Sequence, residues 1–512
     1  MTQTLPGRAL LRSGEFKVGA LLIAAAAFYR PLVLWSANAW DISAPERLLA
    51  IGAVIFGLAL VPYVLLTRIG VRSGASALGI AGALYIALNW HHLQPHPLYW
   101  VGLIAVISIA GHMKFRDEVT RWISYIAIAT LTVAPLAQLV ITHVRSSESY
   151  PIIETVGEMS GTATGLVEDV VIVVVDSYPS LALAESWFSH DTIEFQQDLR
   201  ELGFTVETAG WSQHTFTGLA VPSLLELQPV AEAGPKGNWG NHLSVYGIIR
   251  GDNFVANSLR SAGYQYTHVE SGWDGGSCGP VDTCLGSTWL DEVMWELLRP
   301  SVAANLLVQR YGHHSVGNSL NVVKHLKANS QIFDDGRRDY VYAHLLLPHD
   351  PLVVDENCDL SVDDTTGPTY FAIGGDTSGV IAPLVAQLSC VDRLIVEIAQ
   401  LAGPKSAMVI TGDHGTWSGG QLGVPPEKWS DADIGERLGV FLAYRLPESC
   451  AEPSTSVNTD VVRAIMVCAV EIDIPQRNGV FLIGAEAPVY VDPARMRRIE
   501  TSILDGTLLP NK

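Results

Sequence analysis

Apolar positions along this chain fall into two regimes. From Lys17 to Val144 they form long runs, and after Ser146 they form short runs separated by polar and small residues. A membrane-crossing helix needs about 20 mostly apolar residues. The first regime offers five candidate spans: Lys17–Leu34, Leu48–Leu66, Ala75–Trp90, Leu98–Met113 and Trp122–Val144. Trp90, Trp100 and Trp122 sit at run ends, where interfacial aromatics belong. The second regime opens on Asp169-Val-Val-Ile-Val-Val-Val-Asp176. A continuous β-branched run of this kind predicts a strand buried on both faces. Further strands are expected at Tyr340–Leu347, Ala407–Thr411 and Gly439–Tyr444, with helices at Glu194–Leu202 and Gly379–Leu401. Strands alternating with helices predict an α/β domain with a mainly parallel sheet. The expected organisation is a transmembrane domain over residues 1–145, a polar linker over 146–168 and an α/β domain over 169–512.

Charge divides along the same line. Residues 1–145 carry 11 Lys/Arg and 5 Asp/Glu, so the remainder carries 21 basic and 47 acidic residues. A domain that acidic repels nucleic-acid phosphates, which excludes nucleic acid as a partner. Positive charge in the loops sets orientation. Arg8, Arg12 and Lys17 precede the first span, Arg68 and Arg72 follow the second, and Lys114, Arg116 and Arg121 follow the fourth. The alternation predicts a cytoplasmic N-terminus and, after an odd number of spans, an extracytoplasmic second domain. Because the first run is followed by further spans, a cleaved leader is not expected. All six cysteines (Cys278, Cys284, Cys358, Cys390, Cys450 and Cys468) fall in the second part, as an oxidising compartment would favour. Cys278 and Cys284 are spaced to close a small loop; six free thiols are the alternative. Arg30 lies toward the outer end of the first span, where its side chain can snorkel, and is a candidate contact for a lipid phosphate.

Four short stretches carry the candidate chemistry. Asp413-His414-Gly415 directly follows Met408-Val-Ile-Thr-Gly, so a carboxylate and an imidazole share one strand-to-loop turn. Such oxygen and nitrogen donors suit zinc or manganese; a helix-capping turn is the plain alternative. Asp176 ends the first strand, where a turn residue bonding local amides would also fit. Thr217 opens Thr-Gly-Leu-Ala-Val-Pro, either as a helix cap or as a hydroxyl nucleophile at a helix N-terminus that receives an anionic ester. His349 lies in the loop after a strand, and His344 lies within that strand as an expected satisfied core histidine. In parallel sheets ligands bind beyond the carboxyl ends of the strands, where these residues cluster.

Together these stretches resemble the alkaline phosphatase and sulfatase superfamily. Its membrane-bound branch, the phosphoethanolamine transferases and lipoteichoic-acid-synthase-like phosphoglycerol transferases, is the nearer likeness. The resemblance implies a five-helix membrane domain followed by an outer α/β catalytic domain in the cell (inner) membrane. It implies a divalent metal, zinc or manganese, held by Asp176, Thr217, Asp413 and His414. Thr217 is the implied catalytic nucleophile, with Thr215 as the fallback, and His349 a substrate- or second-metal-binding residue. The implied partners are a phospholipid donor, carrying phosphoethanolamine or phosphoglycerol, and an envelope glycan or lipid acceptor. Leu388-Ser-Cys-Val-Asp-Arg-Leu-Ile is similar to the family helix before the Asp-His strand. The chain departs from the pattern in two places. Gln421-Leu-Gly-Val-Pro-Pro has no His where ethanolamine-type transferases carry one, and Thr416 replaces the usual Glu. One metal site is therefore expected rather than two. Formylglycine sulfatases need Cys/Ser-x-Pro-x-Arg; Cys278-Gly-Pro-Val-Asp282 has no Arg, and Ser43-Ala-Pro-Glu-Arg47 lies in a membrane loop. A sulfatase-like hydrolase or phosphodiesterase of envelope esters is the first alternative function, and a degenerate binding module the second.

Overall fold

The computed structural model describes residues 14–37, 42, 45–69, 73–88, 117–146, 161–231, 242–286, 292–298, 301, 314–360, 379–417, 424–472, 474, 480–484 and 488–510. The chain divides into two compact units: Met1–Ser147 with Glu292–Arg310, and Glu148–Asp291 with Tyr311–Lys512.

The first unit contains the helices Gly14–Ala37, Pro45–Arg68, Ser73–Leu88 and Asp117–Ser146. Among the described residues, three helical stretches are long and apolar enough to cross a membrane: Gly14–Ala37, Pro45–Arg68 and Ser124–Thr142. Five spans were expected. The third is a helix of only 16 residues, and the fourth, Leu98–Met113, lies outside the described residues. Small residues let these helices approach closely. A Cβ added at Gly19 would lie 2.0 Å from the Tyr63 hydroxyl, which donates to the carbonyl of Phe16 at 3.1 Å. A stretch distant in sequence belongs to this unit too. The short helix Glu292–Leu298 packs Val293 and Leu297 against Leu34, Ile42 and Leu48. Its Glu296 carbonyl accepts from Arg30 Nη2 at 3.0 Å.

The second unit is built on a seven-stranded sheet. Its strands are β1 (Val170–Val175), β2 (Thr205–Trp211), β3 (Gln265–Val269), β4 (Thr283–Leu285), β5 (Asp339–Leu345), β6 (Ala407–Gly412) and β7 (Gly439–Arg445), in the order β2-β7-β6-β1-β5-β3-β4. β7 runs antiparallel to both its neighbours, and the other pairings are parallel. The four strands expected from the sequence all form, β7 with reversed direction. β2, β3 and β4 were not expected. They carry Thr, Glu, Gln and His among their apolar residues and do not read as runs.

β1 is buried along its whole length. On one face Val171, Val173 and Val175 join Val341, Ala343, Leu345, Met408, Ile410 and Phe441 in the largest apolar cluster. The helix Ile381–Leu401 covers that face with Leu388, Val391 and Ile395. All six cysteines pair, as Cys278–Cys284, Cys358–Cys390 and Cys450–Cys468, so the free-thiol alternative does not hold.

One buried acid in this unit sets a pH dependence. Glu226 ends the helix Thr217–Glu226 and is 2% exposed; its Oε1 accepts from the amide of Phe254 at 3.0 Å. Burial, helped by repulsion from Asp252, pushes its carboxyl from 4.5 up to about 7. A folded value above the unfolded one means the stabilising contribution is complete below pH 4.5 and is lost as pH rises through 7. Glu226→Gln keeps an acceptor for Phe254 and removes the titration. Denaturant unfolding at about pH 5 and about pH 8 should show the wild type losing on the order of 3 kcal/mol more than the variant.

Candidate metal centre

The register of the sheet brings the chemistry together. β1 and β6 are parallel neighbours paired from Val170 with Ala407 to Val175 with Gly412. The next residue of each strand is therefore an aspartate, Asp176 and Asp413, at the carboxyl edge. The Asp176 amide still donates to Leu345 of β5 at 2.9 Å, so that carboxylate leaves from the middle of three strands. His414 follows Asp413. One ligand atom from each of Asp176, Asp413 and His414 lies within 4.8 Å of the others, and all three residues are buried. His414 Nε2 stands 3.6 Å from Asp176 Oδ1 and 3.5 Å from Asp413 Oδ2.

Thr217 completes the group. Its hydroxyl lies 3.0 Å from His414 Nε2. It is not a helix cap: Phe216 holds that position, and Thr217 is the first residue of the helix Thr217–Glu226. Thr215 has another task. Its Oγ1 accepts from the Gly484 amide at 3.0 Å, and its carbonyl accepts from the buried Arg437. Of the two threonines, only Thr217 presents its hydroxyl to the cluster.

Two neighbours not anticipated from the sequence hold these side chains. Ser177 has left-handed backbone, φ 62°. Its amide donates to Asp413 Oδ1 at 3.1 Å, and its hydroxyl lies 3.2 Å from both Asp176 Oδ1 and His414 Nδ1. Arg437, fully buried before β7, donates to the carbonyls of Gly415, Thr416 and Thr215 and stacks 3.6 Å over the Trp417 ring. Gly415 is needed at this turn, since an added Cβ would lie 1.9 Å from the Glu436 carbonyl. Neither Ser177 nor Arg437 stands in a pattern that marks it in the sequence.

His414 Nδ1 lies 3.0 Å from the Gly415 carbonyl. A carbonyl only accepts, so Nδ1 carries the hydrogen and Nε2 presents its lone pair to the two carboxylates and Thr217. Asp413 Oδ1 accepts from the amides of Ser177 and His414, whereas Oδ2 is buried without a partner among the described residues. Burial, then Asp413, raises the Asp176 carboxyl to about 7, and burial, then Arg437, holds His414 well below the ordinary imidazole range. Two crowded carboxyls, a neutral imidazole lone pair and an orphaned carboxylate oxygen fit a divalent cation, whose charge would reverse the Asp176 shift and hold His414 neutral still more firmly. The donors are oxygen and nitrogen, in keeping with zinc or manganese.

His349 faces the same group. Its Nδ1 lies 2.7 Å from the Asp350 carbonyl, and Gln387 Nε2 bonds the carbonyls of Pro348 and His349 at 3.0 and 3.1 Å. Burial lowers its basicity, but the carboxylates of Asp176 and Asp350 outweigh this and raise it. His344 is buried, but neither ring nitrogen has a partner among the described residues; it is not the satisfied core histidine expected. Burial lowers it to about 4, so it is neutral. Arg30 lies in the first unit. The stretch after Trp417 with the altered family pattern lies largely outside the described residues.

No protein-family model matches the chain, and neither does any curated protein. Solved structures do. The chain is similar to the integral membrane lipooligosaccharide phosphoethanolamine transferase A of Neisseria meningitidis, at 14% identity and TM-score 0.39, over 84% of this chain and 88% of that one. It is similar to the C-terminal periplasmic domain of EptC from Escherichia coli, in complex with zinc, at 12% identity and TM-score 0.39, over 66% and 94%. A third is the C-terminal periplasmic domain of the phosphoethanolamine transferase EptC from Campylobacter jejuni, at 12% identity and TM-score 0.34, over 54% and 78%. At these levels of likeness, function rests on the residues of the site.

Proposed function

We propose that this protein is a membrane-anchored, metal-dependent transferase. It moves a phospho-substituent, of phosphoethanolamine or phosphoglycerol type, from a phospholipid to an acceptor in the outer envelope. The observation that carries the reading is the Thr217 hydroxyl 3.0 Å from His414 Nε2, beside two buried carboxylates. The proposed topology is five spans over residues 1–145, a linker over 146–168 and an extracytoplasmic catalytic domain over 169–512, less the stretch Glu292–Arg310 that belongs to the first unit, with the N-terminus in the cytoplasm of a cell (inner) membrane. Asp176, Asp413, His414 and Thr217 would hold one divalent cation. When bound, it supplies a Lewis acid that lowers the Thr217 hydroxyl pKa and offsets charge on the transferring group.

The residues divide the remaining work. Thr217 attacks phosphorus; its oxygen forms the new bond, the bond to the diacylglycerol oxygen breaks, and the proton leaves with diacylglycerol. The acceptor hydroxyl oxygen then bonds to phosphorus, the Thr217 O–P bond breaks, and the acceptor's proton returns to the Thr217 oxygen. The N-terminus of the helix Thr217–Glu226 would favour an anionic ester beside Thr217. His349, whose Nδ1 faces the Asp350 carbonyl, would offer its other ring nitrogen to a substrate oxygen. Arg30 would contact the lipid phosphate within the first unit. Spanning helices suit a lipid donor because they keep the catalytic domain at the head-group plane.

Incubation of the purified full chain with head-group-labelled phospholipid and an envelope extract tests this. Transfer predicts label in envelope glycan or lipid, with free diacylglycerol. Free labelled head group alone would replace the transferase by a hydrolase acting on the same residues. No turnover in protein shown to contain metal would replace both by a binding module.

A further inference from the structure

We propose that a buried hydrogen-bonded chain, Tyr178–Asp392–His190, is a positioning network that fixes Asp176 for metal binding; this rests on the metal-site reading above. Tyr178 lies two residues beyond Asp176, and its ring is fully buried. Its hydroxyl donates to Asp392 Oδ1 at 2.5 Å. The other oxygen, Asp392 Oδ2, lies 2.8 Å from His190 Nε2. Asp392 comes from the helix Ile381–Leu401, and His190 from the turn between the helices Leu181–Phe188 and Ile193–Glu201. Three separate elements therefore meet at one carboxylate.

The surroundings argue for position rather than stability. Phe195, Phe441, Leu388 and Ile395 belong to the apolar cluster around Tyr178, and the Tyr178 ring lies 4.9 Å from that of Phe441. A well-packed apolar trio would stabilise such a place at least as well as a buried polar one. A polar chain adds direction, because each bond holds only within a narrow range of distance and angle. Here the direction matters because the turn is under load. Ser177, between Asp176 and Tyr178, has left-handed backbone that non-glycine residues adopt at a cost. Asp176 itself is pressed against Asp413 in a site built for a cation. Tyr178 clamps the far end of this turn twice. Its hydroxyl is tied to the helix Ile381–Leu401, and its carbonyl accepts from the Phe441 amide of β7 at 3.1 Å. Freed from Asp392, the turn could relax and carry the Asp176 carboxylate away from His414.

The test uses full-length protein in detergent and zinc as the probe. Affinity is read by competition with a chromophoric chelator, and folding by the melting curve of the metal-free protein. Tyr178→Phe should weaken zinc about tenfold, the lower end of what outer partners of a metal site contribute. Its metal-free melting temperature should stay near wild type, and in turnover kcat should fall with KM little changed. Asp392→Asn should lose affinity as well, and the double variant should bind no more weakly than the weaker single one, because both cut the same chain. His190 supplies a check that leaves Tyr178 in place. His190→Gln keeps an N–H donor toward Asp392 and should bind zinc within about twofold of wild type, whereas His190→Leu should lose affinity. Unchanged zinc affinity in both Tyr178→Phe and His190→Leu, or losses that simply multiply in the double variant, would overturn the network. Wild-type protein that binds no zinc would overturn the metal-site reading together with it.

Discussion

Thr217→Ala should lower turnover of the labelled phospholipid by about ten-thousandfold or more, the usual scale for removing a nucleophile. Folding should survive, because Thr217 does not cap its helix; Phe216 holds that position without any side-chain bond. Zinc affinity should fall only modestly, since Asp176, Asp413 and His414 all remain. Thr217→Ser should keep measurable turnover because the hydroxyl is retained. Wild-type enzyme quenched with donor but no acceptor should carry a phospho-substituent on Thr217, detected by peptide mass spectrometry, and Thr217→Ala should carry none. Thr215→Ala discriminates between the two threonines. Thr215 spends its hydroxyl on the Gly484 amide, so its loss should cost stability and leave the covalent adduct intact. Full activity in metal-loaded Thr217→Ala would sink the two-step mechanism.

Asp413→Asn should abolish the stabilisation that zinc gives the wild-type protein. In the wild type, zinc bound to the folded form alone raises the melting temperature as its concentration exceeds the dissociation constant. Asp413 is central to this. Its Oδ1 is already committed to the amides of Ser177 and His414, and its buried Oδ2 remains for the cation. Losing one anionic donor of a small set should weaken zinc by about a thousandfold. Without metal the sign reverses. The wild type then keeps two carboxyls crowded together, and repulsion from Asp413 is part of what raises Asp176 to about 7. Metal-free Asp413→Asn should therefore be as stable as metal-free wild type at neutral pH, or more so. Chelator should strip activity from the wild type, and added zinc or manganese should restore it. The measurement is a pair of melting curves, with and without zinc, for each protein. An equal zinc-induced shift in both would remove Asp413 from the metal site.

The legibility of the fold varied with burial. β1 and β6 are buried on both faces, so their sequences are almost wholly apolar and read as strands at once. β3 is as buried along Tyr266–Val269, yet it carries Thr267 and His268 and passes unnoticed. β2 exposes part of its length and lies at the sheet edge beside β7, so nothing demands an apolar run there. The reversed direction of β7 has no sequence signature, because an apolar strand reads alike in either direction. The stretch Glu292–Leu298 looks like ordinary polar–apolar sequence, and only its contacts with Leu34, Ile42 and Leu48 assign it to the first unit.

Sequence by itself determined the chemistry on offer. The apolar runs marked a membrane part, the clustered cysteines a second part that forms disulfides, and Asp176, Thr217, Asp413 and His414 a set of donors around a hydroxyl. Those signals are local, carried by composition and by residues adjacent in the chain. Tertiary structure alone decided which of these residues meet. The register of β1 on β6 sets Asp176 beside Asp413, although the two are 237 positions apart in the sequence. The entry of the helix Thr217–Glu226 places the Thr217 hydroxyl, and not that of Thr215, at this cluster, and the left-handed turn at Ser177 ties its side chains to one another. The physical reason is that a metal site is a matter of angstroms between side chains, and strand pairing and helix packing fix those distances.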